Sequence, residues 1–307
     1  MITAAAVSPS LDVTYEVDEL TGIQRPLAVH RVAGGKALNA ARAAALLGSS
    51  VGAVAVLGGG TGSVVASLAR DDGVDLRVVD GTELTRTCVS VHARSTGALT
   101  EIYEHATPVT RAVYDRFLAV LGADISARGG WCLVSGGVPD SLGPSPLREL
   151  VDAVSGAGGR VAVDSHGPAL LALLASGGVD LLKVNRSEAC EVLAVPADTP
   201  LADLVAGLHA LSRGVVVVTD GVAGLRATDG SSTFTAVVPD VVGQFPVGSG
   251  DSVLGALVHA LDDGRGLDDA LRLATAAGCA NALVPGAARF DPAVVARLAA
   301  EVVLLAA

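Results

Sequence analysis

The run Pro246-Val247-Gly248-Ser249-Gly250-Asp251-Ser252 leads directly into the apolar stretch Val253-Leu254-Gly255-Ala256-Leu257. A small-residue turn, one acid and a helical pattern put that acid at a helix start, where backbone N–H groups have no partner in the helix. Such a start attracts anions, and a carboxylate there can accept a proton from an incoming hydroxyl. The same residues also fit an ordinary capped helix after a loop, so their company decides between the two readings. A second turn, Gly34-Gly35-Lys36, opens a helix running to Leu47 and carries Asn39 one turn in. Close backbone approach, one point charge and an amide that both donates and accepts suit a polyol. The pattern is neither a Walker A loop nor a dinucleotide fingerprint. Gly58-Gly59-Gly60-Thr61-Gly62 is a third such turn, weak on its own. Lys183-Val184-Asn185-Arg186-Ser187-Glu188 follows an apolar strand. There Asn185 and Glu188 share one face of a first helical turn, able to hold the water shell of Mg²⁺ or to close a capping box. Thr219-Asp220-Gly221-Val222-Ala223-Gly224 ends a further strand in a turn suited to nucleotide phosphates.

These motifs need a scaffold that brings strand ends together. Short apolar runs (131–134, 161–163, 181–184, 215–218) alternate with helical ones (142–154, 169–175, 201–211), which implies a parallel sheet covered on both faces and an α/β class. Met1–Val7 reads as a first strand, without the basic flank of a signal peptide. The segments 252–261, 268–283 and 292–305 read as helices only. Two segments show period-2 alternation instead: 12–17, and 87–92 with 99–103 around Ser95-Thr96-Gly97. They predict a small antiparallel sheet beside the main one, a lid able to pair with a second subunit, or else an antiparallel edge of the main sheet.

Half of the 307 residues are hydrophobic, enough for a large core. The net charge of −11, with scattered Lys and Arg, speaks against nucleic acid and anionic membranes as partners. No stretch reads as a bilayer span. The four cysteines, Cys88, Cys132, Cys190 and Cys279, fit no metal-ligand spacing and imply a reduced, cytoplasmic protein. His92 and His105 read as surface or supporting residues near the lid.

The ordered set Gly-Gly-Lys-x-x-Asn, Lys-x-Asn-x-x-Glu, Thr-x-Gly-x-x-Gly and Gly-x-Gly-Asp resembles the PfkB-type, ribokinase-like carbohydrate kinases from Val7 to about Arg289. The resemblance implies one kinase domain over 1–307, a three-layer α/β/α fold with a mostly parallel sheet, and a β lid from about 12–32 and 85–105. It implies Asp251 as general base, with the backbone of Gly248, Ser249 and Gly250 as the hole for the transferred phosphoryl group. Asp12, Gly34, Gly35, Lys36 and Asn39 would hold the sugar. Lys183, Asn185, Thr219, Gly221 and Gly224 would hold ATP, Asn281 would lie near the adenine, and Glu188 would organise Mg²⁺ through water. Many members dimerise through the lid, so a homodimer is expected.

Ser8-Pro9-Ser10-Leu11-Asp12, the lysine of Gly-Gly-Lys and Thr85-Arg86 resemble the hexose-phosphate branch, whose acceptors are fructose 1-phosphate, fructose 6-phosphate and tagatose 6-phosphate. Lys36 and Arg86 suit a substrate that already carries phosphate. The alternatives are a kinase of a neutral sugar or nucleoside and a non-catalytic sugar-phosphate sensor. Ala37, Ser249, Val184 and Ser8 depart from the usual family residues, and none of these changes removes a catalytic group.

Overall fold

The structure, a computed structural model, describes residues 1–143, 145–241 and 243–306. The chain begins with β1 (Ile2–Ala6), buried along its whole length, and then leaves the main sheet for β2 (Ser10–Val17) and β3 (Ala28–Gly34). Helix α1 (Lys36–Leu46) returns the chain to β4 (Val51–Leu57), α2 (Gly59–Asp71) and β5 (Asp75–Asp80). A second excursion makes the hairpin β6 (Arg86–Ala93) and β7 (Ala98–Tyr103). Strand and helix then alternate through α3 (Arg111–Arg128), β8 (Trp131–Ser135), α4 (Pro146–Gly156), β9 (Arg160–Asp164) and α5 (Gly167–Ser176). They continue through β10 (Leu181–Asn185), α6 (Arg186–Leu193), α7 (Leu201–Ser212) and β11 (Val215–Thr219). The expected helix over 142–154 starts later, at Pro146, where proline fits a first turn; Pro144 lies outside the described residues.

The chain ends with β12 (Leu225–Thr228), β13 (Thr233–Val237), α8 (Ser249–Asp262), α9 (Leu267–Ala282), α10 (Pro292–Glu301) and β14 (Val303–Ala306). The expectation of helices alone at this end is therefore corrected. Helix α10 stops at Glu301, Val302 turns extended, and Val303 pairs with Val237. The β12–β13 hairpin carries a signal missed in the sequence, Asp229-Gly230. Gly230 takes φ +89° while Asp229 Oδ1 accepts from the N–H groups of Ser231 and Ser232 at 2.8 and 2.7 Å.

Ten strands make the main sheet in the order β14-β13-β12-β11-β10-β9-β8-β1-β4-β5, parallel from β11 to β5 and antiparallel at the β14 end. Alternate residues of β1 face opposite cores. Ile2, Ala4 and Ala6 join α1, α2, α8, α9 and α10, whereas Ala5 joins α3 to α7. Burial on both faces explains why these strands read as unbroken apolar runs. The small sheet is separate, in the order β3-β2-β6-β7. Its outer pairs are antiparallel, and its central pair, β2 with β6, is parallel because the two strands come from different excursions of the chain.

Candidate active site

A cleft of about 720 Å³ opens at the carboxyl ends of β1, β8, β9, β10 and β11, roofed by the small sheet and floored by the starts of α1 and α8. Carboxyl ends of parallel strands are where α/β sheets bind ligands.

The start of α8 is shaped by its glycines. Gly248 takes φ +82°, and a side chain there would place Cβ 2.5 Å from that of Ala287. A Cβ on Gly250 would stand 2.9 Å from Lys183 Nζ, so only glycine leaves the backbone open to that ammonium. Gly250 and Asp251 occupy the second and third helical positions, where N–H groups have no intrahelical acceptor. Ser249 departs from expectation. Its N–H donates to the Pro246 carbonyl at 3.1 Å and its hydroxyl accepts from Asn281 Nδ2 at 3.0 Å, so it supports the turn and does not line the cleft.

Asp251 is buried, and its Oδ2 accepts from Asn39 Nδ2 at 2.9 Å. Burial, together with the charge of Asp164, pushes its carboxyl up to about 6 against the pull of Asn39, Lys36 and Lys183. Asn39 was expected to hold the sugar. It borders the cleft, but its amide is committed on both sides, since Oδ1 accepts from Arg42 Nη1 at 3.1 Å.

The Asp12 carboxyl fills the space above Gly34, where a Cβ would come 2.0 Å from it, and accepts from Ser10 Oγ at 2.5 Å. Burial raises its pKa. Gly35, at φ +92°, lets α1 begin against Pro9. Arg86 lies on the cleft wall, with Nη1 on the Glu104 carbonyl at 3.2 Å and Nη2 on the Ser8 carbonyl at 3.3 Å. Its Nε, with Ser8 Oγ and Ser135 Oγ, is buried and unpaired among the described residues, although all three residues line the cleft. Unpaired polar atoms in a cleft wall suit a polar ligand.

Asp164, at the end of β9, is the functional candidate that motif reading missed. It is fully buried and bridges two lysines, with Lys183 Nζ at 2.6 Å and Lys36 Nζ at 3.4 Å. Burial pushes its carboxyl up, but Lys183 and Lys36 outweigh that and hold it below the usual range. Burial likewise disfavours the Lys36 ammonium, yet Asp164, Asp251 and Glu188 keep its pKa raised. The sequence signal was present: Val161-Ala162-Val163-Asp164-Ser165-His166-Gly167 is a strand ending in an acid at a turn. His166 and the Gly136–Pro139 loop also line the cleft and were likewise not singled out.

Asn185 and Glu188 form a reciprocal capping box, the Asn185 side chain accepting at 2.9 Å and Glu188 Oε2 accepting at 2.8 Å. Glu188 Oε1 remains, 3.8 Å from Lys36 Nζ. Thr219 and Gly221 line the cleft, the latter at φ +55°. Gly224 does not line it. A Cβ there would meet the Ala236 carbonyl at 2.1 Å, so this glycine serves hairpin packing. Asn281 also lies outside the cleft, fully buried. Its Nδ2 donates to the Val247 carbonyl at 2.8 Å and its Oδ1 accepts from the Ala288 N–H at 2.6 Å, which fixes the turn before α8. His92 is buried against Phe245, at 4.8 Å between rings, and is not a surface residue.

A parallel α/β sheet with a separate four-stranded cover, and a buried acid at an open helix start beside two lysines, defines a phosphotransferase that acts on a hydroxyl acceptor. The chain belongs to the pfkB family of carbohydrate kinases, whose model matches residues 7–293. It is 33% identical over 257 residues to the ATP-dependent 6-phosphofructokinase isozyme 2 of Escherichia coli, covering 82% of each chain. It is 31% identical to the 1-phosphofructokinase of Xanthomonas campestris, covering 97% of this chain and 96% of that one. The crystal structure of Escherichia coli phosphofructokinase-2 in complex with substrates and products has a TM-score of 0.90 at 28% identity, covering 97% of this chain and 98% of that one. Arabidopsis thaliana ribokinase shares the fold, with a TM-score of 0.75 at 24% identity, covering 97% of this chain and 98% of its own.

Proposed function

We propose that this chain transfers the γ-phosphoryl group of ATP to a hydroxyl of a phosphorylated hexose: fructose 1-phosphate, fructose 6-phosphate or tagatose 6-phosphate. The observation that carries the reading is the position of Asp251, a buried carboxylate at the open start of α8, held by Asn39 and facing the Lys36–Asp164–Lys183 cluster. Asp251 takes the proton of the acceptor hydroxyl as the oxygen attacks. The N–H groups of Gly250 and Asp251, with Gly248 freeing the approach, receive the charge of the transferring phosphoryl group. Lys183 and Lys36 add positive charge, and Asp164 keeps both aimed at the same point. Lys183, Asn185, Thr219 and Gly221 face the nucleotide phosphates. Asp12, Gly35 and Lys36 face the sugar, and Arg86 faces the phosphate it already bears, whereas Gly34 lies beneath the Asp12 carboxyl and outside the cleft lining.

The residues fit Mg²⁺ held largely by ATP and water. No group of three His, Cys, Asp or Glu side chains able to hold a metal occurs among the described residues, and Glu188 Oε1 is left over from the capping box. Mg²⁺ rarely takes an all-protein cage, and when bound to nucleotide it neutralises phosphate charge. Glu188 would orient its water shell.

Residues 1–307 are read as one kinase domain with the small sheet as lid. One face of that lid sets Tyr15 against Val29 and Val91, all partly buried, and Val89, partly buried, against the exposed Ile102. An apolar face of this kind supports a homodimer formed lid to lid. Among the described residues no helix is long and apolar enough to cross a membrane, and the four cysteines are free thiols, which supports a reducing, cytoplasmic setting.

ATP consumption across the three phosphohexoses, ribose and nucleosides tests the substrate class. Turnover confined to a phosphohexose is expected, while turnover of ribose or a nucleoside alone, or none at all, refutes it. Arg86→Ala should then raise KM for the phosphohexose and leave KM for ATP unchanged.

A further inference from the structure

Arg42 belongs to none of the roles above, yet it is buried to 2% exposure on α1, one turn beyond Asn39. Nη1 donates to Asn39 Oδ1 at 3.1 Å and to the Ala287 carbonyl at 2.9 Å; Nη2 donates to the Ala33 carbonyl; Nε donates to Asp72 Oδ2 at 2.7 Å. Each contact tells on the site. Ala33 precedes the Gly34-Gly35 turn, and Ala287 packs against Gly248 at the start of α8. Asp72 caps α2, with Arg289 3.9 Å beyond it. A rotatable amide such as Asn39 can present either its oxygen or its nitrogen to Asp251. A guanidinium on Oδ1 removes that choice, because reversal would set the NH₂ group against Nη1 and the oxygen against a carboxylate.

From this geometry we propose that Arg42 is a positioning residue for the reaction, anchored by Asp72, which locks the Asn39 amide so that its N–H holds the carboxylate of Asp251. The proposal rests on the reading of Asp251 as base. Arg42 touches no reacting atom; it reaches the Asp251 carboxylate through Asn39. The other charged groups that face Asp251 are Asp164 on β9, Lys36 on α1 and Lys183 on β10, and none is bonded to Arg42.

The test is the pH dependence of kcat at saturating ATP and phosphohexose, for wild type, Arg42→Lys, Asp72→Ala, Asn39→Leu and the Arg42→Lys/Asn39→Leu double variant. Ionisation of the substrates is common to all five, so differences in the acid limb belong to the protein. Lysine retains the charge but cannot span Asn39, Asp72 and two carbonyls together. Losing the Asn39 N–H destabilises the Asp251 carboxylate, so the acid limb moves to higher pH. A shift of about one pH unit is expected for Arg42→Lys and Asn39→Leu, the worth of one hydrogen bond to a charged group, and a smaller one for Asp72→Ala. The double variant should shift no further than Asn39→Leu alone, as for residues acting through one contact. Superimposable acid limbs with only a lowered melting temperature overturn the proposal and make Arg42 purely structural. Should Arg42→Lys fail to fold, the limb of Asp72→Ala decides alone. Failure of the underlying reading looks different, because Asp251→Asn would then keep near-normal turnover.

Discussion

At the scale of residues, the base role proposed for Asp251 sets catalysis against stability. A carboxyl pushed up to about 6 from an ordinary 3.8 is half-ionised near the pH at which a general base works best. Because the base must be ionised, kcat at saturating substrates should fall about tenfold per pH unit on the acid side of a limb at or above pH 6. A limb near pH 4 would mean that an unperturbed carboxylate controls the rate. The same shift has a cost in folding. With the folded value above the unfolded one, the protonated side chain is favoured in the fold, and that stability is lost as pH rises from about 4 through about 6. Asp251→Asn should therefore melt higher than wild type above pH 6, by up to about 3 kcal/mol, with the gap closing towards pH 4. Thermal unfolding across that range checks the sign, and a variant less stable at pH 8 would contradict it. Asp251, Lys36 and Lys183 were legible in the sequence because each sits in a short motif with glycine or asparagine at fixed spacing. Asp164 was not, because one acid after a valine-rich strand looks like any strand end until the fold brings two lysines to it. Asn281, Gly224 and Ser249 were over-read for the opposite reason: their types suit a ligand, but their polar atoms or backbones are consumed within the protein.

At the scale of elements, the site depends on how closely α1 and α8 approach. A Cβ on Gly255 would stand 2.2 Å from the Ala40 carbonyl, so the helices touch backbone to backbone between Asn39 and Asp251. Gly255→Ala should force them apart, destabilising the fold by about 1 to 3 kcal/mol and lowering kcat more than it changes KM for ATP. Denaturant unfolding and steady-state kinetics check both parts, and unchanged kcat would show that the helix spacing does not set the Asn39–Asp251 bond. Parallel strands β1, β8, β9, β10 and β11 were legible because burial on both faces leaves unbroken apolar runs; β5, exposed at Asp75, Arg77, Val78 and Asp80, was not. Strand β14 was not, because Val302 to Ala306 continues the apolar pattern of α10 and only pairing with β13 turns it extended. Helix α3 was missed although Val113, Tyr114, Phe117, Leu121 and Ile125 recur at helical spacing; the one charge on that buried face is Asp124.

At the scale of the whole molecule, the two excursions of the chain make a cover whose inner edge brings Asp12, Arg86, Cys88 and Tyr103 to the cleft. Its outer apolar face includes Ile102, 63% exposed. If lids pair, sedimentation should report a dimer, and Ile102→Glu should give a monomer with an intact fold; a monomeric wild type removes the lid-to-lid reading. Lid strands β2, β6 and β7 were legible from their alternation; β3 was not, nor was the parallel central pair, since pairing between distant segments leaves no local mark. On the proposed function, sheet, cover and helix starts together would hold a phosphohexose hydroxyl against Asp251 and in line with ATP. The most direct measurement of that claim is turnover of Asp251→Asn beside wild type with the preferred phosphohexose, alongside ATP affinity. A loss of roughly two or more orders of magnitude in kcat with ATP binding retained is the predicted result, and turnover near that of wild type would contradict it.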